Sequence, residues 1–129
     1  PRIGDPLHNI SHGATATQVC RFFYLLATER LINPERSRMM LEDLADPRLH
    51  HKFVSQVEER APGARMYRKS GTWKQWHGDA IMVHGTHWRD YILVALVESD
   101  NGESIIRKVL PAVEELIVPP EFAEGVDGL

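Results

Sequence analysis

The chain contains a single cysteine, Cys20. No intrachain disulfide is possible, and cysteine usage assigns no redox compartment. Set among Val19, Phe22 and Phe23, the thiol reads as a buried, inert group rather than a nucleophile. Long apolar runs are missing too. No stretch approaches the roughly 20 residues that span a bilayer, and the N-terminus lacks the charged-then-apolar layout of a signal peptide. Positive charge is not in excess: 15 Lys and Arg stand against 18 Asp and Glu, for a net charge of -3. Without a basic stripe there is nothing to meet a phosphate backbone, and nucleic acid is set aside as a partner. Repeats and low-complexity runs are absent. What remains is 129 residues, 43% apolar, enough for one domain or part of one and too few for a second core. The opening, Pro1-Arg2-Ile3-Gly4-Asp5, carries no Met and has the composition of a loop interior, so a chain processed or excised from something longer is expected.

Residues 1–14 are turn-rich, with Gly4, Pro6, Asn9 and Gly13. Thr15-Ala16-Thr17-Gln18 has capping-box spacing, and Val19, Phe22, Phe23, Leu26 and Ala27 then recur at helical steps. A helix ending near Leu31 is expected. Asn33-Pro34 starts a second helix carrying Met40, Leu41 and Leu44; Asp46-Pro47 repeats the signal before Leu49, Phe53, Val54 and Val57, up to Arg60. Pro62-Gly63 closes the helical half.

From Ala64 the period changes. Residues 64–72, 78–85 and 90–99 read as three strands, joined by connections short enough for an antiparallel meander. The third is apolar on both faces, which predicts a central strand or one covered by helices. Ile105, Ile106, Val109, Leu110, Val113, Leu116 and Ile117 form a last helical stripe, with Asn101 as its cap and Pro111 expected to bend it. The fold class is therefore α+β: three helices, a three-stranded antiparallel meander, and a C-terminal helix packed on the sheet. Such a sheet with two apolar faces is incomplete, and with helices expected on one side, something else should extend or cover the rest.

Lys69-Ser70-Gly71 lies where the first strand nears its turn, beside Trp73 and Trp76. An ammonium and a hydroxyl suit a carboxylate, and a glycine lets a ligand approach the backbone. An exposed hairpin end explains the same three residues equally simply. The two tryptophans either wall a cleft or cover the hairpin. His77, His84 and His87 with Asp79 match no accepted zinc spacing, so no metal and no cofactor is expected; His8, His12, His50 and His51 read as solvated or capping groups.

Lys69-Ser70-Gly71-Thr72 on a strand, followed by His77-Gly78-Asp79-Ala80-Ile81-Met82-Val83, resembles the Lys-Thr/Ser-Gly strand of the penicillin-recognising serine hydrolases, class A β-lactamase-like proteins above all. Residues 14–26, ATATQVCRFFYLL, resemble the helix that follows the omega loop in that superfamily, and the order of elements resembles the carboxyl-terminal part of its fold. The resemblance implies that Lys69 supplies positive potential, that Ser70 binds the substrate carboxylate, and that Gly71 leaves room for ligand beside Trp73. It implies one oxyanion donor in the Thr72 amide.

The family's other machinery is a Ser-x-x-Lys nucleophile pair and a Ser-Asp-Asn element. No Ser in this chain is followed three residues later by Lys, so the isolated chain lacks an activated acyl acceptor. Ser99-Asp100-Asn101 follows the last strand instead of preceding the motif strand, and reads as a turn and cap. No Glu precedes Glu29 to position a deacylating water, and Asp5 reads as a loop brace. The expectation is thus a loop over 1–14, the C-terminal portion of a β-lactamase-like domain over 15–118 and a tail over 119–129. Its implied partners are a nucleophile-bearing N-terminal segment, on a separate chain or a cleaved remainder, and a lactam or peptide-like substrate. The implied location is periplasmic or secreted. The rival expectation is a noncatalytic module binding a partner through an open sheet edge, or an esterase or peptidase on the same scaffold.

Overall fold

A computed structural model of the chain describes residues 13–123. Asp5, His8 and His12, with all but the last two residues of the expected 1–14 loop and residues 124–129 of the expected tail, lie outside the described residues. The element order is α1 (Ala16–Ala27), α2 (Pro34–Leu44), α3 (Phe53–Arg60), β1 (Arg65–Trp73), β2 (Trp76–His84), β3 (Asp90–Glu98), α4 (Gly102–Ile117) and the single turn α5 (Pro120–Ala123). The α+β class and the meander are as expected.

Local chemistry sets most boundaries. At α1 the capping box forms in full: the Thr15 hydroxyl accepts from the Gln18 amide at 3.2 Å and the Gln18 side chain accepts from the Thr15 amide at 2.8 Å, a feature worth about 1 kcal/mol. The helix stops at Ala27, short of Leu31, because Glu29 turns to φ 58°. Asn33 caps α2 through its side chain, accepting from the Arg36 amide at 2.8 Å, with Pro34 following. Asn101 stands at the N-cap of α4 but makes no side-chain capping bond. The Ser99 hydroxyl accepts from the Asn101 amide instead, at 3.1 Å. Helix α4 runs through Pro111.

One expected helix start is corrected. The Asp46-Pro47 signal does not open a helix: α3 begins only at Phe53, and Leu49 is exposed. The backbone of 49–52 is drawn instead to Arg68, whose guanidinium donates to the carbonyls of Leu49 and His51 at 2.9 and 3.2 Å. Of the two alternatives expected for the third strand, the structure has the second: β3 lies at an edge of the sheet, in the order β1-β2-β3, and is covered by α1 and α4. Two successive hairpin connections necessarily leave the middle strand of sequence in the middle of the sheet. That strand, β2, holds the fully buried run Asp79–Val83.

Strand alternation then divides the core between two faces. On one, Ile81 and Val83 pack with Phe53, Val54 and Val57 of α3 and Ile106 and Leu110 of α4. On the other, Ala80 and Met82 pack with Phe23 of α1, bordered by Leu41 and Leu44 of α2. Helices therefore cover both sides of the sheet, not one. No helix among the described residues is long and apolar enough to cross a membrane.

Candidate active site

The register fixes what the motif strand presents. Pairing is continuous from Arg65↔His84 to Trp73↔Trp76, and from Trp76↔Glu98 to His84↔Asp90. On the α1 face, toward the hairpin end, this lines up three cross-strand rows: Lys69, Ala80, Val94; then Gly71, Gly78, Leu96; then Trp73, Trp76, Glu98. Those nine residues are the floor of a cleft of about 1060 Å³, bounded at one side by Gly13, Ala14 and Val19 at the start of α1. Helix α1 covers the sheet only up to that point.

The middle row leaves the floor bare of side chains at two positions. A Cβ built on Gly71 meets nothing within 4 Å, so its missing side chain opens into the cleft; one on Gly78 would lie 3.3 Å from Leu96 Cδ2. Lys69 is exposed and its Nζ donates to the Ser70 carbonyl at 2.7 Å. Trp73 and Trp76 are 66% and 49% exposed, and the Lys74 ammonium lies 4.4 Å from the Trp73 ring centre. The two-residue turn Lys74-Gln75 holds Lys74 at φ 54°.

Of the residues singled out from sequence, Lys69, Gly71 and Trp73 share the floor. Alternation sends the side chains of Ser70 and Thr72 to the other face, although both residues line the cleft. There the Thr72 hydroxyl accepts from Lys52 Nζ at 2.8 Å. The Thr72 main chain points elsewhere again. The Met66 carbonyl accepts from the Asp46 amide, outside the ladder. In an antiparallel pair the outward-facing backbone groups alternate, so Ser70 and Thr72 turn their amides to the outer edge of β1, beyond the Ala45↔Tyr67 bridge that closes it beside Met66 and Arg68.

Beneath the motif strand lies a buried ionic cluster that sequence reading missed. Asp79 accepts from Arg68 Nε and Nη2 at 2.8 and 3.1 Å and from the Phe53 amide at 3.0 Å. Arg68 Nη2 also meets His51 Nδ1 at 2.9 Å. Burial, together with Arg68 and Lys52, holds the His51 imidazole below its ordinary range. Burial likewise lowers Lys52, against the pull of Asp79. Counting outward from the turn would have paired Gly71 with Gly78. No local signal marks Lys52, whose partners lie 19 to 26 residues away.

The histidines do not converge. His84 meets Asp90 at 2.6 Å, His50 meets Glu58, and His77 packs under Gly102. Among the described residues no group of three or more His, Cys, Asp and Glu is arranged to hold a metal ion. Cys20 is half-buried, and burial pushes its thiol up.

Residues 5–117 match the model of the beta-lactamase enzyme family. The chain belongs to that family of hydrolases. Neither the comparison with curated proteins nor that with solved structures gave a match.

Proposed function

We propose that this chain forms one wall of the reaction cleft of a serine hydrolase acting by acyl transfer on a β-lactam or a peptide-like amide or ester, with the attacking hydroxyl contributed by a segment outside it. The observation that carries the reading is the coincidence of the Lys69-Ser70-Gly71-Thr72 run with the described cleft and its open edge.

Each residue has a role there. Lys69, exposed at one end of the floor, supplies positive potential to a substrate carboxylate and to the nucleophile's proton. Ser70, whose side chain turns to the opposite face, hydrogen-bonds that carboxylate through its outward-facing amide at the strand edge. Gly71 leaves the space the ligand fills, and Trp73 walls it. The Thr72 amide, facing the open edge, donates to the developing oxyanion; the second donor is the amide of the nucleophile residue itself. Removing one such donor costs about 3 to 4 kcal/mol of barrier. The partner is a nucleophile-bearing segment of the same fold, and the family likeness supports reading such a hydrolase as periplasmic or secreted.

Fluorescent penicillin tests this directly. In a preparation containing the chain and its companion segment, the label is expected on the companion polypeptide, with Lys69→Ala lowering the labelling rate by on the order of 100-fold. Intact masses of every species identify which polypeptide carries the label. A preparation in which the companion is present and no polypeptide takes the label would favour the second reading. That reading is a noncatalytic module recruiting a partner through the outer edge of β3, which no described strand pairs.

A further inference from the structure

Lys52 is the least economical residue in the fold. It is wholly buried, and no carboxylate lies within ion-pair distance of its ammonium among the described salt bridges; Arg68 takes Asp79. A buried charge without a counter-ion costs several kcal/mol. Its backbone adds strain, with φ 53° and ψ -127° in a non-glycine residue, a conformation that persists only where the surroundings force it. A methionine would fill the same volume without the charge.

The ammonium has three acceptors, and all belong to the motif hairpin. Nζ donates to the Gly71 carbonyl at 3.0 Å, to Thr72 Oγ1 at 2.8 Å and to the Gly78 carbonyl at 3.1 Å. Its three N–H bonds are thereby all used. Gly71 and Gly78 face one another in the register, so this point of the hairpin has no cross-strand side-chain pair to stiffen it, and glycine weakens a strand interior. The strap carrying Lys52 is itself fixed: Arg68 holds the carbonyls of Leu49 and His51, and Asp79 holds the Phe53 amide.

We propose that Lys52 is a positioning residue, whose ammonium clamps the Gly71–Gly78 pair from the face opposite the cleft and so fixes the direction of the Thr72 amide at the open edge. The catalytic part of this statement rests on the reading of the cleft given above; the clamp itself does not. In the free hairpin the glycine pair would flex and the amide would wander. A donor displaced by about 1 Å can lose on the order of 100-fold in rate.

Two measurements on the full chain and its Lys52→Met variant separate these claims. Amide hydrogen exchange is expected to rise at least about tenfold at Gly71 and Gly78 in the variant, with the protection of Ile81 and Val83 unchanged. In the preparation that reacts with fluorescent penicillin, acylation is expected to slow by on the order of 100-fold, with the concentration giving half-maximal rate little altered. Unchanged exchange at both glycines overturns the clamp whatever the chemistry does. Raised exchange in a preparation that never labels keeps the clamp and removes the enzyme reading. Should Lys52→Met not fold, Thr72→Val removes one acceptor and leaves the ammonium in place, and a smaller rise in exchange at the same two glycines is expected. No rise there, in a folded Thr72→Val protein, overturns the proposal.

Discussion

A single carboxylate on α4 ties three elements together. Glu114, 2% exposed, accepts from Arg60 Nε of α3 at 2.8 Å, from Arg89 Nε and Nη2 at 2.9 and 3.2 Å, and from the Tyr91 hydroxyl of β3 at 2.7 Å. Burial pushes its pKa up, but the bonds from Arg89, Arg60 and Tyr91 outweigh it and bring the group below its ordinary 4.5. The same burial, with the bond to Glu114, raises the Tyr91 phenol above its usual range. Because the folded protein holds Glu114 ionised more readily than the unfolded chain does, its stabilisation is complete above pH 4.5 and is lost as pH falls through the lower folded value. Glu114→Gln is expected to cost on the order of 2 to 3 kcal/mol at neutral pH. It should also flatten the acid limb: the urea midpoint of the parent should fall more steeply between pH 7 and about pH 3 than that of the variant. Parallel pH profiles would show that Glu114 is not the titrating anchor.

At the scale of elements, the first residue of α4 sits directly against a ring on β2. That residue, Gly102, is buried, and a Cβ there would lie 2.2 Å from His77 Cδ2 and 2.5 Å from Cγ. Alanine favours helix by about 1 kcal/mol, yet the overlap with an aromatic ring forces one element to move. Gly102→Ala is therefore expected to destabilise by about 1 to 3 kcal/mol. In a double-mutant cycle, His77→Ala should recover most of that loss; additive losses would place the strain elsewhere. The need for this glycine was not legible from sequence, because the ring that excludes its Cβ lies on a strand 25 residues back in the numbering. Signals confined to one turn of chain were legible. Thr15 to Gln18 and Asn33-Pro34 announced their helices, and alternation announced the strands. Signals overridden by tertiary bonds were not: Asp46-Pro47 has the composition of a helix start, but Arg68 claims the carbonyls that would begin it. The site divides in the same way. Lys69, Gly71 and Trp73 are adjacent in sequence and meet on one floor, whereas Gly78 and Leu96 join them only through register, and Lys52 only through packing.

For the molecule as a whole, the decisive feature is β3. Residues 91–97 are Tyr-Ile-Leu-Val-Ala-Leu-Val, and the strand carries charge only at its ends, at Asp90 and Glu98. None of its nine residues is fully buried, although α1 and α4 pack on it. An apolar edge strand without interior charges offers a row of unpaired backbone groups to any other strand. This is the edge a companion segment would extend, and the same edge serves the noncatalytic reading. The chain by itself is accordingly expected to self-associate, with weight-average mass in sedimentation rising with concentration above 14.7 kDa. Leu96 is 51% exposed, so Leu96→Lys places a charge on the strand at little cost in burial. That variant should stay monomeric at concentrations where the parent does not, with thermal midpoints within about 2 °C of each other. A parent that remains monomeric throughout, or a lysine variant that associates equally, would mean that β3 is closed by something already within the chain. The case for a companion segment on this edge would then fall.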